Sequence, residues 1–293
     1  MAILSCIGAG RLGQTLCNLF SQQLTIGQVI NTSMDSSRRA IDFIGAGSPA
    51  TIDNLKQADI WLIATPDHQI ETVTQQLHCA EVLTADSIIF HCSGLLSSSI
   101  LQGGKDNLNI ASVHPIHSFA NPRRSIKGFS GCHCAIEGSE KAVTDLSKLF
   151  TSIGALPFAL DSQHKSVYHA ATVMACNYLV SLLEVSHQML QAAGIESTQK
   201  SPPLEALIRQ TLDNYFSLGA TEALTGPIAR GDVQTVKTHS NALEKDTDVR
   251  QWKQLYAALG NATLPIAAAQ GQASEEQLRA IARELNSLAS DEK

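Results

Sequence analysis

Charged and aromatic residues are scarce in this sequence, and long apolar runs are missing. Charged residues make up 16% and aromatic residues 5% of the 293 positions, whereas apolar residues make up 44%. This composition supplies a packed core and excludes general disorder, which needs high charge and few apolar side chains. No stretch approaches the roughly 18–20 uninterrupted apolar residues of a membrane span, so we expect no membrane partner.

An excess of basic residues is also missing. The formal net charge is −6, from 21 Lys and Arg against 27 Asp and Glu. Proteins that bind nucleic acids neutralise backbone phosphates with Lys and Arg, and they are commonly basic. We therefore expect a small-molecule substrate and no nucleic-acid partner.

The sequence lacks a disulfide framework. Its seven cysteines are odd in number and scattered, which is typical of reduced thiols in the cytoplasm. Cys132 and Cys134 flank a histidine, but no second ligand pair follows at zinc-like spacing, so we favour buried side chains over a metal site. The start, MAILSCIGAG, has no basic segment or cleavage site and predicts a buried strand rather than a signal peptide. We predict a cytoplasmic protein.

The pattern of elements divides the chain near residue 160. Residues 1–160 alternate short apolar runs with helical patterns, which predicts a doubly wound, parallel α/β sheet. Residues 161–293 contain mainly helical patterns. We therefore predict an N-terminal dinucleotide-binding domain and an all-α C-terminal domain.

The first strand ends in a glycine-rich motif, IGAGRLG. It has the G-x-G-x-x-G spacing, follows a strand and opens a helix, which is the context of a Rossmann dinucleotide site. Gly8 permits a tight turn, Gly10 lets the backbone approach a pyrophosphate, and Gly13 lets helix and strand pack closely. The start of the helix offers free N–H groups to the phosphates. The predicted cofactor loop comprises Gly8, Ala9, Gly10, Arg11, Leu12 and Gly13.

The end of the second strand distinguishes between two nicotinamide cofactors. NAD sites place Asp or Glu there for the ribose 2′-hydroxyl, but this chain has Asn31 and Ser33, followed by Arg38 and Arg39. Because guanidinium pairs well with phosphate, we favour NADP. Asp35 keeps NAD as the alternative, and the arginines could simply form a solvated helix start.

Other strand ends meet the same edge of the predicted sheet, where ligands bind. They lie in the segments ATPD, HCSG and HPIHSF. Asp67 is expected to cap the helix that Pro66 starts. The further candidates are Ala64, Thr65, Pro66 and Ser93 for the cofactor and His114 for the substrate.

The long helix predicted from Lys165 to Gly194 is apolar nearly all round. Such a helix is expected at the centre of its domain or of a dimer. Its polar residues Lys165, His169 and Asn177 share one side and are candidates for catalysis. Each also has an ordinary explanation as a solvated or internally bonded side chain.

The stretch LTGPIARGD, Leu224 to Asp232, interrupts the helices of the second half. We predict that Thr225 and Gly226 lie in a turn at the substrate and that Arg230 binds a carboxylate or phosphate. Asp232 is expected to cap the next helix. The alternative is a helix–helix corner in which Arg230 pairs with Asp232.

Several motifs together resemble one family. IGAGRLG, HCSG, HPIHSF, YHAATVMACNYL and LTGPIARGDVQTVKTH are similar to Rossmann-like, NADP oxidoreductase-like proteins with a C-terminal domain of unknown function 2520. The resemblance implies a Rossmann domain, a helical domain like that of 6-phosphogluconate dehydrogenase, and a homodimer. Relatives such as ketopantoate reductase and pyrroline-5-carboxylate reductase reduce C=O or C=N bonds. In the hydroxyacid dehydrogenases, a lysine opens the long helix and an asparagine follows four residues later; here Lys165 is followed by His169.

The leading hypothesis is a cytoplasmic, NADP-dependent oxidoreductase acting on a small, anionic carbonyl or imine in an interdomain cleft. Lys165 or His169 would be the acid–base group, and Asn177 would hold the substrate oxygen. One alternative is a non-catalytic NADP-binding sensor or partner protein. Another is a metal-dependent enzyme built on His91, Cys92, His114 and His117.

Overall fold

The computed structural model describes residues 1–104, 107–195 and 203–290. The chain forms two compact units, Met1–Tyr178 and Leu179–Lys293. The sequence pattern predicts the boundary between the α/β and helical parts near residue 160, whereas the structure places the boundary between the two units after Tyr178. The first unit extends further because Lys165, at the start of a long helix, bonds to groups of the sheet.

The first unit is built on an eight-stranded sheet in the order β3-β2-β1-β4-β5-β6-β7-β8. All neighbouring strands are parallel except β6 and β7, which are antiparallel. The sheet confirms the predicted doubly wound α/β fold. The strands are β1 Ile3–Ile7, β2 Thr25–Ile30, β3 Ser48–Ala50, β4 Ile60–Ile63, β5 Ile88–His91, β6 Asn109–Pro115, β7 His133–Gly138 and β8 Leu156–Ala159.

Helices cover the sheet on both sides. They are α1 Arg11–Phe20, α2 Met34–Ile44, α3 Asp67–Cys79, α4 Pro122–Gly128 and α5 Glu140–Ser152. Alternate residues of a strand face opposite sides, so Leu62 and Phe90 belong to one core cluster and Trp61 and Ile89 to the other. Strands buried on both faces explain the continuous apolar runs of the sequence.

The antiparallel pair was not expected from the sequence. A parallel crossover needs a dozen or more residues, usually with a full helix. The connection between β6 and β7, residues 116–132, is long enough for a crossover, but its helix α4 has only seven residues, and the chain returns beside β6 in the opposite direction. As a result, β1, β4, β5 and β6 all present their carboxyl ends at one edge, and β7 enters there.

The helix α6, Lys165–Ala192, begins in the first unit and ends in the second. By length and composition alone, Ser162–Ala192 is apolar enough to cross a membrane, and none of its most apolar window is buried. The sequence contains no uninterrupted apolar run here because polar residues such as His169, Asn177 and Glu184 break it. The mean hydropathy of this helix nevertheless stays high.

The second unit is helical, as predicted. After the end of α6 it contains α7 Glu205–Ala223, α8 Val233–Lys245, α9 Lys253–Gln270 and α10 Glu275–Ala289. Its core lies among α8, α9 and α10 and contains Val236, Leu243, Val249, Ala257, Ile281, Leu285 and Leu288. Helix α7 contributes no buried residue.

Candidate functional site

The glycine loop after β1 has the geometry of a dinucleotide-binding turn. Gly8 has a φ of +90°, and a Cβ there would lie 2.7 Å from the backbone nitrogen of Thr65. A Cβ on Gly13 would lie 2.8 Å from the carbonyl oxygen of Gly8, so α1 packs directly on the turn. A Cβ on Gly10 would meet nothing within 4 Å. The three glycines thus have the conformations and surroundings that their predicted roles require.

Polar groups beside this loop are left free to bind a ligand. No side chain caps the N-terminus of α1 at Gly10. The hydroxyl of Thr65 is buried and has no hydrogen-bond partner within the described chain. Because N–H groups at a helix start carry partial positive charge, this arrangement fits a pyrophosphate.

The side chains of the other loop residues differ in their burial. Ala9 is buried, Leu12 packs against the core and Arg11 is exposed. Directly after the neighbouring strand β4, Ala64 also packs against the core, and a Cβ on Gly13 would approach its side chain to 3.4 Å. Pro66 occupies the N-cap position of α3. These residues shape the floor of the candidate cofactor site.

At the end of β2, Asn31 and Ser33 form the turn into α2. The Ser33 hydroxyl accepts a 3.2 Å bond from the backbone N–H of Ser36, and the Asn31 amide donates to the Ser36 carbonyl at 3.1 Å. Arg38 lies 3.3 Å from Asp35, and both side chains are exposed. An exposed ion pair of this kind contributes about 0–1 kcal/mol, so a phosphate can replace Asp35 as the partner of Arg38.

Asp67 connects two strand ends, and the expectation that it caps α3 is wrong. Its carboxylate accepts a 2.6 Å hydrogen bond from the hydroxyl of Ser93, and the start of α3 has no side-chain cap. Because β4 and β5 are adjacent, the residues that follow them lie side by side. This proximity is tertiary and has no signature in the local sequence.

Ser93 organises the loop after β5. Its hydroxyl donates to Asp67 and accepts bonds from the N–H groups of Leu95 at 3.1 Å and Leu96 at 2.9 Å. One donor and two acceptor sites are the full capacity of a hydroxyl. Ser93 was predicted to bind the cofactor; its hydroxyl has no donor or acceptor site left for such a contact, and the role stays a prediction.

His91 is a buried structural imidazole. Its Nδ1 accepts a 3.1 Å bond from the N–H of Ser93, and its Nε2 lies 3.3 Å from the carbonyl oxygen of Ser97. These two bonds are satisfied together by the neutral ring with its proton on Nε2. Burial lowers the pKa of His91 to about 4.

Lys165 lies in a buried ion pair, away from solvent. Its ammonium donates to the hydroxyl of Ser112 at 2.5 Å and to the carbonyl oxygen of Ser93 at 3.3 Å. It also lies 3.4 Å from Glu137, and the exposed fractions of the two side chains are 3% and 10%. Ser98 holds the Glu137 carboxylate through its N–H and its hydroxyl, both at 2.7 Å. This network joins β5, β6, β7 and α6.

Burial lowers the pKa of Lys165, although the nearby carboxylate of Glu137 opposes that shift. The same enclosure keeps the ammonium from reaching a substrate directly. The prediction that Lys165 supplies the proton is untested, and its position favours support of the loop after β5.

Two histidines converge beside this network. A Cβ on Gly94 would lie 2.5 Å from Nδ1 of His169 and 2.9 Å from Nε2 of His114. The two rings stand edge to face with centroids 5.7 Å apart. On its other side, Nδ1 of His114 lies 2.7 Å from the hydroxyl of Tyr168. His114, Tyr168 and His169 are all partly exposed, so the cluster is open to a ligand.

The electrostatic surroundings keep His114 neutral and Tyr168 protonated. Burial, with smaller contributions from His169 and Lys165, lowers the pKa of His114 to about 4. Burial also raises the pKa of Tyr168 to about 12. Between those values the pair consists of a neutral imidazole and a neutral phenol.

The structure does not bring Asn177 to this cluster. Asn177 is exposed on α6 and lies eight residues beyond His169, which is about 12 Å along a helix. Its role as a substrate ligand stays a prediction. Sequence reasoning missed Ser112, Glu137 and Tyr168, and only the tyrosine, inside the motif YHAATVMACNYL, carried a signal that could have found it.

The interruption between α7 and α8 is a tight corner. Gly226 and Gly231 have positive φ angles of 102° and 70°. Asp232 caps α8 as predicted, accepting a 3.0 Å bond from the N–H of Thr235. Thr225 and Arg230 are exposed. Their predicted roles in substrate binding stay predictions.

The thiols and remaining histidines form no metal centre in the described ranges, where no group of three or more His, Cys, Asp and Glu is placed to hold an ion. All seven cysteines are free and five of them are buried, including Cys132 and Cys134. His117 packs edge to face against Phe119 and Phe129.

Comparison with known families divides the chain into two matched regions. Residues 2–115 match the Rossmann-like domain, and residues 132–263 match the domain of unknown function DUF2520. The chain therefore contains a Rossmann-like domain followed by a DUF2520 domain. The second match begins at the strand that enters beside β6 and ends within α9, so it includes the last two strands of the sheet as well as α6, α7 and α8.

Solved structures share this fold. Protein TM1727 from Thermotoga maritima is 25% identical with a TM-score of 0.72, covering 91% of this chain and 99% of its own. A proposed NADP oxidoreductase from Bacteroides fragilis is 19% identical with a TM-score of 0.73, covering 90% and 98%. A reductive aminase from Aspergillus terreus, in complex with NADPH, is 15% identical with a TM-score of 0.59, covering 98% and 93%. No curated protein matches the chain.

Proposed function

We propose that the protein is an NADP-dependent oxidoreductase that transfers hydride between the nicotinamide and a small, anionic carbonyl or imine compound. The observation that carries this proposal is the glycine loop: open space at Gly10, an uncapped start of α1 and an unpartnered Thr65 hydroxyl. Fold relatives described as an NADP oxidoreductase and as a reductive aminase with NADPH support it.

The carboxyl edge of the sheet supplies the remaining chemistry. NADPH, when bound, supplies the hydride. His114 and His169 converge over Gly94, where His114 can hydrogen-bond the oxygen or nitrogen of the substrate and His169 can deliver its proton. Lys165, paired with Glu137, holds the Ser93 carbonyl and thereby the loop that carries Gly94.

The preference for NADP over NAD rests on the end of β2. No acidic side chain takes the position after the strand, and Arg38 and Arg39 lie exposed on α2. Asp35 is already engaged by Arg38. A 2′-phosphate would gain a bidentate guanidinium partner there, which favours NADP.

Titration of the purified protein with NADPH and NADH by calorimetry, at fixed salt, tests the cofactor. We expect tight NADPH and weak NADH binding. Gly10→Val should abolish binding without unfolding the protein, because its side chain enters open space. Gly128→Val is the matched control, since a Cβ at Gly128 meets only His117, at 4.0 Å. If neither cofactor binds, the proposal fails; if NADPH binds but no keto acid or imine oxidises it, the sensor alternative is favoured.

We also propose that the protein is a homodimer through its second unit. Helix α7 has 19 residues and none is buried, although Leu207 and Phe216 are exposed by 60% and 81%. An apolar groove of about 820 Å³ runs between α6 and α7. Isolated apolar helices are unstable in water, so we infer that a second copy covers this face.

Sedimentation equilibrium tests the dimer. We expect a dimeric wild-type protein and a monomeric Phe216→Asp variant. Leu156→Asp in the first unit, where Leu156 is 50% exposed, is the matched control and should remain dimeric. A monomeric wild type refutes the proposal, and co-sedimentation of that monomer with lipid vesicles would point to a membrane surface instead.

A further inference from the structure

Tyr168 is the member of the histidine cluster to which the sequence motifs assign no role. It lies in the first turn of α6, and its ring stands at 88° to that of His114 with centroids 5.6 Å apart. Its other edge contacts Phe158 of β8, with centroids 6.4 Å apart. The phenol is therefore fixed from two sides, and its hydroxyl lies 2.7 Å from Nδ1 of His114.

The chemistry of the two groups decides which one donates. A phenol O–H is a stronger acid than the N–H of neutral imidazole, and an imidazole nitrogen is a better base than a phenol oxygen. The proton of Tyr168 therefore lies between the two groups, pointing at Nδ1. Because the hydrogen bond at one ring nitrogen sets the protonation of the other, the ring proton of His114 resides on Nε2.

The Nε2 atom of His114 faces the space over Gly94 that His169 also borders, since a Cβ placed there would lie 2.9 Å from it. A neutral imidazole N–H can polarise a carbonyl without transferring a full charge, as in triosephosphate isomerase. Donor strength at this position thus depends on Tyr168, which does not itself reach that space through its hydroxyl.

We propose that Tyr168 is a positioning residue that fixes His114 as the Nε2–H tautomer and so makes it a hydrogen-bond donor to the substrate oxygen or nitrogen. This inference rests on the proposed function for the identity of the acceptor. The groups around the ring are His169 and Lys165 on α6, Tyr168 itself and, at longer range, Asp67 on α3.

The tautomer can be measured without a substrate. Long-range ¹H–¹⁵N correlation spectra of the ¹⁵N-labelled protein near neutral pH distinguish a protonated from an unprotonated ring nitrogen, and His114→Gln identifies the signal by its loss. We expect an unprotonated Nδ1 and a protonated Nε2 in the wild type. In Tyr168→Phe we expect the Nδ1 signal to shift and a second tautomer to become populated.

Two comparisons make the outcome decisive. Tyr178→Phe removes an exposed hydroxyl from the same helix and should leave the His114 signals unchanged. A wild-type spectrum with the proton on Nδ1 overturns the inference, even if Tyr168→Phe fails to fold. An unchanged tautomer in a folded Tyr168→Phe protein that still binds NADPH also overturns it. If the wild-type protein does not bind NADPH, that result counts against the proposed function instead.

Discussion

Replacing Lys165 by methionine tests whether the buried ion pair holds the site together. Methionine keeps an unbranched side chain as far as the Cε position and removes the charged terminal nitrogen. Glu137 would then be left with an exposed fraction of 10% and no cation. Breaking one side of a buried ion pair commonly costs about 3–5 kcal/mol.

The structure places the expected loss at the lower end of that range. Glu137 would keep both 2.7 Å bonds from Ser98, and the Ser93 carbonyl would keep a 3.2 Å bond from the hydroxyl of Ser112. We therefore expect the free energy of unfolding of the first unit to fall by roughly 3 kcal/mol. Adding Glu137→Gln removes the unpaired carboxylate and should restore most of this loss.

Urea unfolding followed by tryptophan fluorescence measures the effect in the first unit. Trp61 is fully buried in β4, and a Trp252→Phe background removes the second tryptophan, which lies in the other unit. Lys253→Met, at the start of α9, is a control substitution outside the first unit. A loss below about 1 kcal/mol for Lys165→Met, or no recovery in the double variant, would refute the reasoning about the ion pair.

Three further predictions follow from individual residues. The pKa of His91 is about 4 in the folded protein against 6.5 when unfolded, so its contribution is complete above pH 6.5 and is lost as the pH falls toward 4. Wild type should lose about 3 kcal/mol more than His91→Gln between pH 7.5 and pH 4 in urea melts, and equal losses would contradict the assignment. Arg38→Ala should weaken NADPH about tenfold and leave NADH unchanged by calorimetry, reflecting one charge-assisted pair; equal weakening of both would remove the argument for NADP. Arg230→Ala should raise the KM for an anionic substrate once one is found, whereas an unchanged KM with lower stability would favour a structural corner.

Local sequence was sufficient for the cofactor loop. The spacing of Gly8, Gly10 and Gly13 predicted a tight turn, and the structure shows a positive φ at Gly8, open space beside Gly10 and close packing at Gly13. The capping role of Asp232 was also predictable, because a cap depends on residues three positions apart. By contrast, the predicted capping role of Asp67 was wrong. Its hydrogen-bond partner Ser93 is 26 residues away in the chain, beyond the reach of a local pattern.

The sequence by itself determined the α/β sheet, the helical second half and the glycine turn after β1, because hydrophobic periodicity and glycine spacing act over a few residues. Only the tertiary structure decided that Lys165 is buried against Glu137 and that Tyr168 faces His114. Those pairs join β6, β7 and α6 across 28 and 54 positions of chain. The strand order and the antiparallel direction of β7 bring these residues together, and no local sequence pattern predicts either feature.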